Sequence, residues 1–110
     1  MGGLRIPARV FEDERLIEAS HIAERPIHVV LAAWLAVLGE AAGRDGEAPD
    51  KAEFIEKVGD HVDLRYGVAV FVLDAFRSVG LIRDGRIAEP ERWFEPGLAA
   101  QDVLSPSAEG

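Results

Sequence analysis

The stretch DLRYGVAVFVLDAFRSVGLIRDGRIA, Asp63 to Ala88, decides how this chain is read. Leu64, Val68, Phe71, Val72, Ala75 and Val79 follow one another at spacings of four, three, one, three and four, which is the period of a helix with one apolar side. Asp63 stands where a capping carboxylate would accept from the first turn, and Gly80 stands where the chain would leave the helix. Beyond it, Asp84-Gly85 is centred between Ile82-Arg83 and Arg86-Ile87. That dipeptide favours a two-residue type I′ turn, so a hairpin is predicted in which Ile82 faces Ile87 and Arg83 faces Arg86.

Upstream, Asp50, Lys51, Ala52 and Glu53 form a capping-box pattern, so a helix is predicted to begin there. Ala52, Ile55 and Val58 would be its inward stripe and Gly59 its end. The segment Gly43-Arg-Asp-Gly-Glu-Ala-Pro49 reads as a connection turning at Asp45-Gly46. Before it, Pro26 opens a central helix from Ile27 to about Ala42 that is apolar on nearly every side. A first helix from Asp13 to about Ile22 places Leu16, Ile17, Ala19 and Ile22 on one stripe. Residues 1 to 11 carry Arg5 and Arg9 and no acid, and read as an extended arm or an opening strand. Downstream, Trp93 and Phe94 are predicted to fold back onto the core, and residues 97 to 110, rich in Gly, Ala, Ser and Pro, to form a flexible tail.

A short helix, a turn, a longer amphipathic helix, a glycine and an Asp-Gly hairpin follow one another in the order of a winged helix-turn-helix. The expected fold is mainly α with a small β-hairpin, one domain over residues 1 to 96 including its N-terminal arm. From about Asp13 to Phe94 the chain also resembles the N-terminal winged-helix domain of phage replisome-organiser and related replication-initiation proteins. The matching residues are Asp13-Glu-Arg-Leu-Ile17, the helix Val30 to Leu38 before Asp45-Gly46, and Phe-x-x-x-Gly-Leu-Ile-x-Asp-Gly from Phe76 to Gly85 followed by Trp93. The resemblance implies a DNA-binding or self-associating module of phage or bacterial replication or transcription control, usually followed by a second domain.

Composition narrows the functional classes. With 110 residues, 48% of them hydrophobic, the chain supports one core and is too short for two ordinary domains. It has no cysteine, which removes disulfides, thiolate metal sites and a cysteine nucleophile and fits a reducing compartment such as the cytoplasm. The opening residues lack the basic stretch and apolar core of a signal peptide. The longest apolar run, Ile27 to Leu38, is shorter than the roughly 20 residues that cross a bilayer, so no membrane association is expected. Twenty acidic against twelve basic residues leave a net charge of -8, which opposes non-specific attraction to phosphate. Leu64 to Ala88 is the exception, with four arginines against two aspartates.

Two surfaces are candidates for function. Arg83 and Arg86 flank the hairpin tip and could hold neighbouring phosphates of double-stranded DNA, with Arg65 and Arg77 extending the patch. The second stripe of the long helix, Tyr66, Val70, Leu73 and Arg77, is poor in base-reading side chains, and Tyr66, Val70 and Leu73 read as a protein interface, most simply that of a homodimer. His21, His28 and His61 lack metal-site spacing, and His28 is expected to be partly buried and hydrogen-bonded. Asp60 and Asp63 sit where turns and caps favour aspartate. Glu12, Asp13 and Glu14, with Glu89, Glu91 and Glu95, read as solvated surface, and Trp34 and Trp93 as core. No phosphate loop, nucleophile elbow or zinc pattern is present, so no catalytic residue, metal or cofactor is expected and the chain does not read as an enzyme. Three functions remain. They are a self-associating winged-helix DNA-binding protein, a protein-interaction module without DNA binding, and an acidic inhibitor that fills the basic groove of a nucleic-acid-binding protein.

Overall fold

The computed structural model describes residues 4–48 and 51–95. Those residues are mainly helical, with one small antiparallel sheet. The arm enters alongside the last element: Leu4 bridges Phe94, and the Arg5 amide donates to the Trp93 carbonyl at 2.7 Å. Residues 5 to 9 carry no helix or strand, and a single 3₁₀ turn, Val10–Glu12, follows them. Helix α1 then runs over Glu14–Ala23, and Asp13 caps it by accepting from the amides of Arg15 and Leu16 at 2.9 and 3.1 Å.

Helix α2, Ile27–Ala42, begins after Pro26 as predicted and carries the core. Val30, Leu31, Ala33, Trp34, Val37, Leu38 and Ala41 are all buried, because α1 and the two following helices pack around it. Trp34 is the centre of an aromatic group, edge-on to Phe76 at 5.0 Å and to Trp93 at 5.5 Å between ring centroids.

Helix α3 spans Ala52–Val62. The expected cap, Asp50, lies outside the described residues. Ile55 and Val58 face inward as predicted, but Ala52 is exposed in the first turn. Gly59 does not end the helix, which continues for another three residues. Its role is to admit a close neighbour: the Leu64 amide donates to the Gly59 carbonyl at 2.8 Å, and a Cβ on Gly59 would lie 2.6 Å from the Leu64 carbonyl oxygen. Asp63 is likewise not the cap of the next helix. It is left-handed, with φ 58°, and terminates α3, so the long helix starts later than expected.

That helix, α4, covers Tyr66–Ser78 with Arg65 at its cap position and no side-chain cap. Its buried residues are Ala69, Val72, Leu73, Ala75 and Phe76. The expected phase is therefore rotated: Leu73 lies in the core at 1% exposure, and Phe71, predicted to face inward, is 50% exposed. Gly80, at φ 84°, closes α4 as predicted, with the Leu81 amide reaching back to the Phe76 carbonyl at 3.0 Å.

Strands β1, Ile82–Arg83, and β2, Arg86–Ile87, pair in the predicted register, Ile82 with Ile87 and Arg83 with Arg86. Asp84 and Gly85 both have positive φ, 53° and 74°, as a type I′ turn requires. The segment after α2 lies along β2, with the Ile87 amide donating to the Gly46 carbonyl at 3.0 Å and the Ala48 amide to the Gly85 carbonyl at 2.9 Å. Helix α5, Pro90–Trp93, then buries Trp93 and is followed by the buried Phe94. The proposed tail, 97 to 110, lies outside the described residues, and no single helix among those described is long and apolar enough to cross a membrane.

Candidate functional site

The outward side of α4 is the first candidate. Tyr66 and Phe71 are 45% and 50% exposed, Gly67, Asp74, Arg77 and Ser78 are exposed beside them, and Val70 is half-buried between. At about 100° per residue these seven positions share one face, opposite the buried Val72 and Phe76. Of the three residues expected to form an interface, Tyr66 and Val70 are on this face and Leu73 is not, since the rotation of the helix carries it into the core. Phe71 takes its place. Two further exposed apolar residues, Ile17 and Ile22, belong to α1, which packs directly on α4.

The four arginines expected to meet DNA are all exposed, but they are not gathered into one bare cationic patch. Arg65 precedes the first turn of α4, and Arg77 lies in its last turn. Twelve residues of helix separate them by about 18 Å. Arg77 is paired with Asp74 at 2.6 Å. On the hairpin, the Arg83 guanidinium folds back to Gly80, where a Cβ would lie 3.4 Å from one of its nitrogens. It thus places its charge at the C-terminal end of α4, where the helix dipole favours a cation. Arg86 donates to the Asp45 carbonyl across the hairpin edge. Arg77, Arg83 and Arg86 each have a contact within the fold.

Beside the hairpin lies a polar recess of about 340 Å³ lined by Arg44, Lys51 and Arg86 together with Glu47 and Asp84. Arg44 is held there from two sides, stacked 3.4 Å above the Phe54 ring and 3.8 Å from the Glu47 carboxylate. The acids offset the cations, so the recess is not a concentrated anion site. Comparison with protein-family models, with curated proteins and with solved structures finds no match to this chain. Assignment of a function therefore rests on the surface chemistry alone.

A second recess of about 500 Å³ opens where the arm crosses the start of α1, lined by Pro7, Arg9, Glu12, Asp13, Glu14, Arg15 and Arg92. Asp13 is not the solvated surface acid that its sequence neighbourhood implies. Its side chain is buried, one oxygen capping α1 and the other meeting Arg92. Arg15 and Arg92 both reach Glu89, at 3.3 and 3.8 Å. Both carboxylate oxygens of Asp13 are engaged, one in capping α1 and the other in tying its start to α5 through Arg92.

The histidines do not converge. His28 is exposed in the first turn of α2 rather than partly buried, His21 is exposed, and His61 lies 3.8 Å from Glu40 at the surface. Among the described residues no group of three or more metal-ligating side chains comes together. Trp34 and Trp93 are fully buried, and their indole Nε1 groups lack a hydrogen-bond acceptor among the described residues. Their edge-on packing makes them core residues with no face open for stacking on a base.

Proposed function

We propose that this chain is a winged-helix domain that works as a protein-association module and not as a reader of the DNA groove. The winged-helix reading is supported by the order α3, tight turn, α4, hairpin, and by the Gly46 to Ala48 segment lying along β2 as a third edge of the wing. In a DNA-reading member of that architecture the second helix of the motif presents donors and acceptors to base edges. The single observation that carries the functional conclusion is the outward face of α4, which offers Tyr66, Val70 and Phe71 with one acid and one neutralised arginine. Exposed contiguous aromatic and apolar side chains of this kind mark protein interfaces. The overall charge of -8 acts in the same direction, against phosphate.

A second reading, DNA binding through the wing, has one observation in its favour. Arg83 and Arg86 are exposed and directly opposite one another across β1 and β2, in reach of adjacent phosphates.

Fluorescence anisotropy of labelled random duplex DNA at low and physiological salt, with wild type beside an Arg83→Ala/Arg86→Ala variant, separates the two. The association module is expected to leave the DNA free at both salt concentrations. Salt-sensitive binding that disappears in the double variant would overturn it in favour of the wing.

A further inference from the structure

We infer that the chain beyond α5 turns back across the N-terminal arm, and that residues 98–104 dock on the apolar surface which the arm leaves open. This surface is separate from the outward face of α4, and its occupant is a segment of the same chain that lies outside the described residues. Three observations carry the inference.

First, the arm presents an uncovered apolar surface. Leu4, Ile6 and Phe11 are 39%, 43% and 59% exposed, and Phe11 is the most exposed large apolar side chain among the described residues. The same stretch contributes Pro7 and Arg9 to the recess of about 500 Å³ that Arg92 of α5 also lines. Large apolar side chains gathered beside an open recess mark a place where something packs.

Second, the segment is delivered there by the fold. Leu4 bridges Phe94 antiparallel and the Arg5 amide donates to the Trp93 carbonyl, so the chain leaves α5 directly beside the arm. The antiparallel pairing sends it toward the beginning of the arm, and two residues after Phe94 comes Pro96-Gly97, a dipeptide that favours a turn. A reversal at that point brings the following residues back along the arm. Gly97 to Leu104 is seven residue steps, as is Leu4 to Phe11, so the returning segment has the length to follow the arm to Phe11. A short tether also holds the segment at an effective concentration of about millimolar, so that a weak contact is enough to keep it docked.

Third, the two stretches are complementary. Residues 98–104 read LAAQDVL, five of the seven apolar, whereas SPSAEG after them has no large apolar side chain. Residues 1 to 11 carry Arg5 and Arg9 and no acid, and residues 95 to 110 carry Glu95, Asp102 and Glu109 and no base. Arg5 makes no ion pair among the described residues. Arg9 lies 3.9 Å from Glu12 with both side chains mostly in water, a contact too long for a hydrogen bond and worth little. In the returning course Asp102 reaches the neighbourhood of Arg9, and Val103 and Leu104 reach Phe11.

The chain has no cysteine, so Ser105→Cys provides a single site for a nitroxide spin label, read by the loss of amide NMR signals in the intact protein. The amides of Ile6 and Phe11 are expected to lose intensity, while those of Tyr66 and Phe71 keep theirs. Leu98→Ser/Leu104→Ser in the labelled chain preserves the tether and removes the anchors, and is expected to restore most of the arm signal. An arm that keeps its signal in the labelled parent overturns the docking. So does a loss that the two serines leave unchanged, since the tether alone would then account for it. Losses at Tyr66 and Phe71 instead would move the segment to α4 and overturn the arm as its site. Spin-labelled chains mixed with isotope-labelled chains that carry no nitroxide are expected to leave the arm signals intact, and losses in that mixture would give the site to a second copy and overturn the intramolecular course.

Discussion

The carboxylate of Asp13 and the guanidinium of Arg92 meet at 2.5 Å although 79 positions separate them. The Asp13 side chain is 3% exposed and that of Arg92 41%, so the aspartate is the committed partner and the arginine keeps access to water. Solvent screening at Arg92 limits the ion pair to about 1 kcal/mol, comparable with the cap that the other oxygen of Asp13 supplies to α1. Asp13→Asn preserves an acceptor for the cap and loses the pair, for an expected cost of about 1 kcal/mol. Asp13→Ala loses both, for about 2 kcal/mol. Urea unfolding of the two variants reads the difference, and equal losses would mean that the cap contributes nothing.

Two glycines on neighbouring helices are expected to respond to the same substitution with opposite sign. A Cβ on Gly59 would lie 2.6 Å from the backbone oxygen of Leu64, which is held in the tight link between α3 and α4 and has little room to retreat. Gly59→Ala is expected to destabilise by about 2 kcal/mol or more through that displacement. Gly67 meets nothing, and Gly67→Ala is expected to stabilise the monomer by about 0.5–1 kcal/mol through helix propensity. Denaturant midpoints measured at a protein concentration low enough for the monomer to dominate give both signs in one experiment.

A third contrast concerns the ends of helices. α1 closes with Glu24 at φ 56°, and the Arg25 amide returns to the Ser20 carbonyl at 3.1 Å, the same device that Gly80 supplies after α4. A side chain at that backbone position is strained, so Glu24→Gly is expected to raise stability by about 0.5 kcal/mol once the added freedom of the unfolded chain is deducted. Gly80→Ala, which introduces the strain, is expected to cost about 1 kcal/mol. Thermal unfolding should move upward for the first variant and downward for the second.

What was legible in the sequence was what local chemistry decides. Asp84-Gly85 requires two positive φ values, and the register of β1 and β2 followed from it without reference to the rest of the chain. Pro26 marked the start of α2 for the same reason, whereas Asp13, which caps α1, read only as a solvated acid at the edge of an apolar stripe. The face of α4 was not legible, because Val68 to Leu73 is an unbroken apolar run and such a run is compatible with several helical phases. The phase is set by packing against α1, α2 and α3, which takes Ala69, Leu73 and Phe76 into the core and leaves Phe71 outside. The Asp13–Arg92 pair was hidden for another reason. Nothing local distinguishes an acid that caps a helix from one that also meets a distant arginine.

The rotation of α4 has a direct consequence for Leu73 and Phe71, which sit two positions apart. Leu73 is packed in the core at 1% exposure, where removal of its side chain leaves a cavity between α4 and the helices around it. Leu73→Ala is expected to cost about 3 kcal/mol. Phe71, at 50% exposure, gives up fewer contacts within the monomer, and Phe71→Ala is expected to cost under about 1 kcal/mol when measured at high dilution. The two variants should separate again in association: Leu73→Ala, while still folded, retains the outward face, whereas Phe71→Ala removes its largest apolar side chain. A Phe71→Ala variant as unstable as Leu73→Ala would return the aromatic ring to the core and restore the phase expected from the sequence.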